Sequence, residues 1–421
     1  MAKITSVRGF RDILPDETPK WQRVEEKIRE IFFNFGIQEI RIPILEKTEL
    51  FKRGIGEATD IVEKEMYTFL DRGNEYLTMR PEATASVIRA YIEHHLYEKD
   101  PVAKLFTIGP MFRRERPQKG RFRQFHQINV EFLGQEDPRI DAELMSMLMY
   151  FLDELGLEEL KLEINSLGCD TCRPAFREKV IGFLKDREDK LCEDCRRRLG
   201  TNPLRIFDCK NESCQETIAG APVILDFICG ECREHFEKVM ESLEILGVSS
   251  VINKRMVRGL DYYTRTAFEI TTQALGAQNA VTGGGRYDGL VQMLGGPAIS
   301  GIGFAIGFDR LISMLPDTEG EDTGRPNIFI AALGETAQGC AFSLCNTLRH
   351  AGIRAEMDFS DRSLKSQMKR ANKLGCSHTL IIGEKEMEEG TAQLRDMKDG
   401  VQESVDIQDA DNIIKGVRSK E

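Results

Sequence analysis

Four close cysteine pairs carry the clearest chemical signal in the chain: Cys169-x-x-Cys172, Cys192-x-x-Cys195, Cys209-(x)4-Cys214 and Cys229-x-x-Cys232. They account for eight of its eleven cysteines. In a reducing compartment such pairs act as metal ligands before they act as disulfides. Two pairs brought together make a four-thiolate tetrahedral site, so the four pairs can hold two structural Zn²⁺ ions. Thiolate-only ligation suits an iron–sulfur cluster as well, and eight reduced cysteines without metal are the plain alternative. The spacing leaves open which pair joins which.

A second concentration runs from Phe112 to His126 and holds seven basic groups (Arg113, Arg114, Arg116, Lys119, Arg121, Arg123 and His126) against one acid, Glu115. Arginine forks with aromatic faces between them suit phosphate and base recognition, whereas a solvated basic hairpin is the bland reading. No G-x-x-x-x-G-K-[ST] string is present, and Gly301-x-Gly303-x-x-x-Gly307 sets its third glycine one place too late for a dinucleotide fingerprint. Any nucleotide phosphates are therefore expected to be held by arginine. Just beyond the basic segment, Gln127-x-x-x-Glu131 places two polar side chains on one face of a strand.

These residues need elements to position them. Residues 18–36 read as an amphipathic helix, with Thr18 as its cap, Pro19 in the first turn, Gly36 as its stop and Trp21, Val24, Ile28, Phe32 and Phe35 on one face. Gln38–Leu45 reads as a strand, which Pro43 confines to an edge or bulge. Further strands are expected at 75–79, 102–108, 129–132, 160–164 and 267–272, with a helix at 140–155 closed by Gly156. Long excursions between these strands predict an α+β fold with a largely antiparallel sheet. Residues 166–247, polar and cysteine-dense, read as a helical insertion. After a linker at 316–326, alternating strands and helices (328–333, 335–351, 353–359, 363–374, 378–382) predict a parallel α/β domain of about 95 residues.

Phe112-Arg113-x-Glu115 with its basic loop and Phe125 resembles the second signature motif of class II aminoacyl-tRNA synthetases. Gly303-Phe304-Ala305-Ile306-Gly307-Phe308-Asp309-Arg310 resembles the third, and Ile42-Pro43 after a long helix the first. Arg80-Pro81-Glu82-Ala83-Thr84-Ala85, Val257-Arg258-Gly259-Leu260-Asp261-Tyr262-Tyr263 and Gly283-Gly284-Gly285-Arg286-Tyr287-Asp288 narrow the resemblance to the bacterial type of histidyl-tRNA synthetase, over almost the whole chain.

That resemblance implies ATP-dependent activation of L-histidine to an adenylate, followed by transfer to the 3′ end of tRNA(His). It implies an α-phosphate contact for Arg113, adenine-amino recognition by Glu115, adenine stacking on Phe125, and Arg310 on the other face with Arg121 assisting. Glu82, Thr84 and Gln127 would surround the α-amino group and Glu131 and Tyr263 the imidazole, with Tyr262 also in the histidine site; of these two tyrosines one is expected to pack in the core and the next to face the site. Arg258 would bridge carboxylate and α-phosphate as the catalytic cation with Arg113. Mg²⁺ would accompany ATP. The domains implied are a catalytic domain in two parts (1–165 and 248–320), the insertion at 166–247, and an anticodon-binding domain at 327–421. The first motif implies a homodimer. The insertion, with Arg196-Arg197-Arg198, would grip the tRNA acceptor arm, and Lys365, Lys369, Arg370 and Lys373 could meet tRNA phosphates or simply be solvated. A non-catalytic, histidine-sensing paralogue would be expected to lose motif residues and the last domain; this chain keeps both.

Composition sets the outer bounds. With 41% hydrophobic and 30% charged residues the chain suits globular domains, roughly two to three of them by length. A net charge of −11 excludes coating nucleic acid through bulk charge, though not a local basic patch. No apolar run approaches the roughly 20 residues of a membrane span, and the start, Met1-Ala2-Lys3-Ile4-Thr5, lacks a secretory leader. A cytoplasmic protein without a membrane partner is expected.

Overall fold

The computed structural model describes residues 3–57, 59–116, 121–272, 280–316, 325–360 and 362–418. Most of the inter-domain linker and residues 117–120 of the basic loop, Lys119 among them, lie outside these. The chain divides into two units, Met1–Asp317 and Thr318–Glu421.

In the first unit an eight-stranded sheet runs in the spatial order 38–39, 103–112, 124–133, 301–307, 280–286, 264–272, 160–166, 250–252. Its interior pairs are antiparallel. Both edge strands run parallel to their neighbours, so the sheet is mixed. The period-two alternation of strand Gln124–Leu133 decides what each face does. Ile128, Val130 and Phe132 point into the main core, where they meet the helices Thr18–Asn34, Pro138–Glu154 and Gly230–Ile245. Gln127, Asn129 and Glu131 point to the other face, where the cleft lies.

Two local expectations change. Thr18 is not a cap: it is the first helical residue and its hydroxyl donates to the Leu14 carbonyl, while Glu17 flanks the helix without a side-chain capping bond and accepts from Arg11 instead. Gly36 does end the helix, with a φ of +72° that a β-carbon would strain. The strand expected at Gln38–Leu45 is broken around Pro43. Gln38–Glu39 joins the large sheet, and Leu45–Lys47 joins a separate three-stranded one. Between them Arg80 Nη1 donates to the carbonyls of Ile42 (2.7 Å) and Pro43 (3.2 Å). A buried guanidinium thus caps the segment that a proline prevents from entering a ladder.

The cysteine-rich stretch forms its own apolar cluster from Cys172 to Cys232, with Phe176, Val180, Leu184, Ile206 and Phe207 inside. The helix Gly230–Ile245 that follows sends Phe236, Val239 and Leu243 into the main core.

The second unit has a five-stranded sheet in the order 355–357, 328–332, 378–382, 391–396, 402–406. Its first three strands are parallel and crossed by helices, as expected. The last two add an antiparallel hairpin, which makes this sheet mixed as well.

Candidate active site

A cleft of about 340 Å³ opens on the polar face of the large sheet. Its lining brings together Glu82, Thr84, Arg113, Gln127, Glu131, Arg258, Tyr262 and Tyr263 from the sequence expectations. Two glycine-bearing strands explain why there is room. A β-carbon on Gly303 would overlap the Glu131 carboxylate, and one on Gly283 would overlap the Arg258 guanidinium. Gly283 to Gly285 are therefore not a turn. They sit inside strand Ala280–Arg286 and keep its surface low beneath the side chains.

Glu131 is 1% exposed and central. Thr84 Oγ1 donates to its Oε1 at 2.6 Å, and the Tyr287 hydroxyl donates to its Oε2. Burial pushes its carboxyl up to about 8, against those two hydrogen bonds and with help from neighbouring Glu82. Glu82 accepts from the backbone N–H groups of Thr84 (2.7 Å) and Ala85 (2.9 Å) at the start of helix Thr84–Glu93. Burial raises its carboxyl too, opposed by those N–H donors. Tyr262 and Tyr263 are both buried, their ring centroids 4.7 Å apart, and both face the cleft rather than one packing away. Arg258 lies over the Tyr263 ring at 5.5 Å and donates from Nη1 to Glu269 at 3.2 Å. Gln127 Oε1, Asn129 Oδ1 and Arg258 Nε are buried with no hydrogen-bond partner among the described residues, which gives the cleft one donor and two acceptors open to a polar ligand.

Beside the cleft, strands Ala103–Phe112 and Gln124–Leu133 form the expected hairpin around the basic loop. Arg113 Nε donates to the Pro81 carbonyl at 2.8 Å and its guanidinium stands 5.3 Å from the Phe125 ring. Glu115 and Arg121 pair across the loop at 3.2 Å. Arg310, in the first turn of helix Phe308–Met314, is pushed below the usual guanidinium range by burial and by Arg121. Glu115, Arg121, Phe125 and Arg310 lie outside the cleft lining. His126 is a support: its backbone N–H donates to Asp309 at 2.6 Å and its ring stands edge-on to Trp21.

The sequence reading missed Asn129, Tyr287, Glu269 and Arg205. Asn129 shares the period-two face of Gln127 and Glu131, so the same argument reaches it. Tyr287 ends the glycine string. Arg205 enters the cleft from the cysteine module and has no local signal.

The cysteines assemble as two quartets: Cys169, Cys172, Cys229 and Cys232, then Cys192, Cys195, Cys209 and Cys214. Within each, every sulfur lies within 4.8 Å of the others. Separations of 3.5 Å (Cys169–Cys172), 4.0 Å (Cys169–Cys229) and 3.8 Å (Cys192–Cys209) exclude disulfides, whose sulfurs stand about 2 Å apart. They match the roughly 3.8 Å edge of a tetrahedron with about 2.3 Å metal–sulfur bonds. Cys172, Cys192 and Cys229 each stand at a helix N-cap; hydrogen bonds from the backbone and neighbouring thiols bring the Cys192 thiol down to about 7, whereas burial pushes that of Cys172 up. Either quartet could hold a metal ion.

Comparison with known proteins agrees with this geometry. The profile of histidyl-tRNA synthetases matches residues 9–169 and 225–311, and that of anticodon binding domains matches 327–416. A histidine–tRNA ligase of Geobacter sulfurreducens is 57% identical over 404 residues, covering 96% of this chain and 97% of its own. The chain belongs to the histidyl-tRNA synthetase family. The crystal structure of apo S. aureus histidyl-tRNA synthetase superposes with a TM-score of 0.81 at 36% identity, covering 99% of each chain. A Bacillus halodurans structure, an ATP phosphoribosyltransferase regulatory subunit/histidyl-tRNA synthetase, shares the fold at 19% identity and a TM-score of 0.64, covering 91% of this chain and 98% of its own. The family profile skips residues 170–224, which hold five of the eight clustered cysteines: Cys172, Cys192, Cys195, Cys209 and Cys214.

Proposed function

We propose that the cleft activates histidine with ATP and that the chain then passes the histidyl group to tRNA(His), with the roles below assigned to its residues. The chain is an aminoacyl-tRNA ligase. A carboxylate oxygen of histidine attacks the α-phosphorus of ATP, the bond to the β-phosphate breaks and pyrophosphate leaves. The terminal ribose hydroxyl of tRNA then attacks the adenylate carbonyl, and AMP leaves. Arg258 and Arg113 would stabilise the charge that builds on the α-phosphate. Glu115, Phe125, Arg121 and Arg310 would hold adenine and the outer phosphates, with Mg²⁺ on ATP. Glu82, Thr84 and Gln127 would take the α-amino group, and Glu131, Tyr262 and Tyr263 the imidazole.

The observation that carries the reading is the meeting of Gln127, Glu131, Arg258 and Tyr263 in one cleft whose buried polar atoms lack partners. Histidine offers a cation, an anion and two ring nitrogens, and so matches that mixture. ATP–pyrophosphate exchange tried with each of the twenty amino acids should respond to histidine alone. Exchange driven by another amino acid overturns the reading.

The two quartets would each hold one Zn²⁺. Five of the eight clustered cysteines lie in residues 170–224, outside the stretches that the family profile matches. The metal would therefore shape the module rather than perform activation. Elemental analysis should find about two zinc ions per chain; an iron–sulfur absorption band contradicts the choice of zinc. Residues 327–421 would bind the anticodon, and 166–247 the acceptor arm. A homodimer is supported by the apolar Phe33, 80% exposed on the first helix near the Ile42-Pro43 motif, and a stable monomer in sedimentation at micromolar concentration overturns it. No described helix is long and apolar enough to cross a membrane, and a cytoplasmic location is proposed.

A further inference from the structure

The stretch between Cys195 and Cys209 reaches the activation cleft in three places. Arg198 Nη2 donates to Asp60 at 3.2 Å, and Asp60 lines the cleft. Asn202 Nδ2 donates to Asp261 Oδ1 at 3.0 Å. Arg205 stands in the short 3-10 turn Pro203–Asp208 that runs directly into Cys209, and its Nη1 donates to Asp208 at 2.8 Å. A β-carbon on Gly259 would lie 3.3 Å from that same Nη1, so the guanidinium rests on the loop that carries Arg258 and Tyr263.

Besides the quartet, Leu199, Ile206 and Phe207 in the module's apolar cluster and a bond from Arg177 Nη2 to the Thr201 carbonyl at 3.0 Å fasten this stretch. Cys192 and Cys195 tie one end, Cys209 and Cys214 the other, and the buried cysteines are themselves part of the module's apolar cluster. A metal converts four neighbouring thiols into a fixed cross-link. Without it, ordering the stretch is left to those apolar contacts and to polar ones at the module's surface.

We propose that metal in the Cys192, Cys195, Cys209 and Cys214 quartet positions Arg205 and Asn202 against Gly259 and Asp261, and so makes histidine binding depend on that metal. The inference rests on the metal reading given above. Arg205 acts here as a positioning residue: it holds the 258–263 loop, whose Arg258, Tyr262 and Tyr263 meet the substrate. If the loop is competent only part of the time, apparent affinity falls by that fraction, while turnover at saturating histidine is kept.

The test uses the full chain as wild type, Arg205→Ala, Cys209→Ser and the double variant. Native mass spectrometry reads metal content, calorimetric titration reads histidine affinity, and pyrophosphate exchange separates KM from kcat. Emission from Trp21, the chain's single tryptophan and buried in the catalytic core, reports whether that unit stays folded. Each single variant should weaken histidine binding about tenfold, the double variant no further, and kcat should stay within about twofold. Unchanged affinity in Arg205→Ala, a loss confined to kcat, or additive effects overturn the proposal. Wild-type protein without metal overturns the metal reading and the linkage together; two bound ions with unchanged affinity in Arg205→Ala overturn the linkage alone. If Cys209→Ser does not fold, chelator-stripped wild type takes its place in the cycle.

Discussion

Beneath the cleft, Asp141 and Arg286 are wholly buried and bonded to each other, Nε to the two carboxylate oxygens at 2.8 and 3.0 Å. His235 adds a contact to Asp141 at 3.0 Å, and Asp288 one to Arg286 at 3.0 Å. In the cysteine module the clustered thiols meet one another and a few backbone N–H groups, such as Cys229 N to Cys172 Sγ at 3.1 Å. The buried cluster around Asp141, made of strand and helix residues, is completed by protein side chains. The module's two quartets are left for the metal proposed above to complete, as small domains with thin cores commonly use one.

Removing the metal should break the module and spare the sheet, and it is the largest effect expected. Structural zinc in small peptides is worth about 10–16 kcal/mol of binding. Hydrogen exchange after chelation should lose protection across 172–232 and keep it in strand Gln124–Leu133; a module that stays protected removes the contrast. Next in size is Asp141→Ala, which strands a buried guanidinium and should cost about 3–5 kcal/mol in denaturant unfolding followed through Trp21. A loss below about 1 kcal/mol would mean the pair is dispensable.

A smaller effect comes from Glu131. Its folded carboxyl titrates near 8, well above the unfolded value, because burial disfavours the charge. The folded state therefore binds more protons than the unfolded one between those two values. The stability this supplies is complete below the unfolded pKa and is lost as pH rises through about 8. Relative to Glu131→Gln, wild type should lose at most about 1.4 kcal/mol per pH unit across that window. Parallel stability profiles for the two proteins would contradict the raised carboxyl.

How much of this was legible in the sequence follows from how local each signal is. The face shared by Gln127 and Glu131 is a period-two pattern within one strand, and it holds in the structure. The helix at 18–34 shows its apolar stripe, but its start was misplaced because Thr18 bonds back to Leu14 instead of capping. Pro43 gave warning of an edge, though not that the chain would change sheets there. Asp141 and Arg286 are 145 residues apart, so no local pattern announces their pairing. The quartets show the same limit, since pair spacing reveals ligands while only the fold decides which pairs meet.

Turnover by Arg258→Ala, measured by histidine-dependent pyrophosphate exchange at saturating ATP and histidine, tests the central claim most directly. An arginine that meets charge developing on the α-phosphate contributes most in the transition state, so turnover should fall about a hundredfold with a smaller change in histidine KM. Near-normal turnover with only weakened histidine affinity would contradict the account.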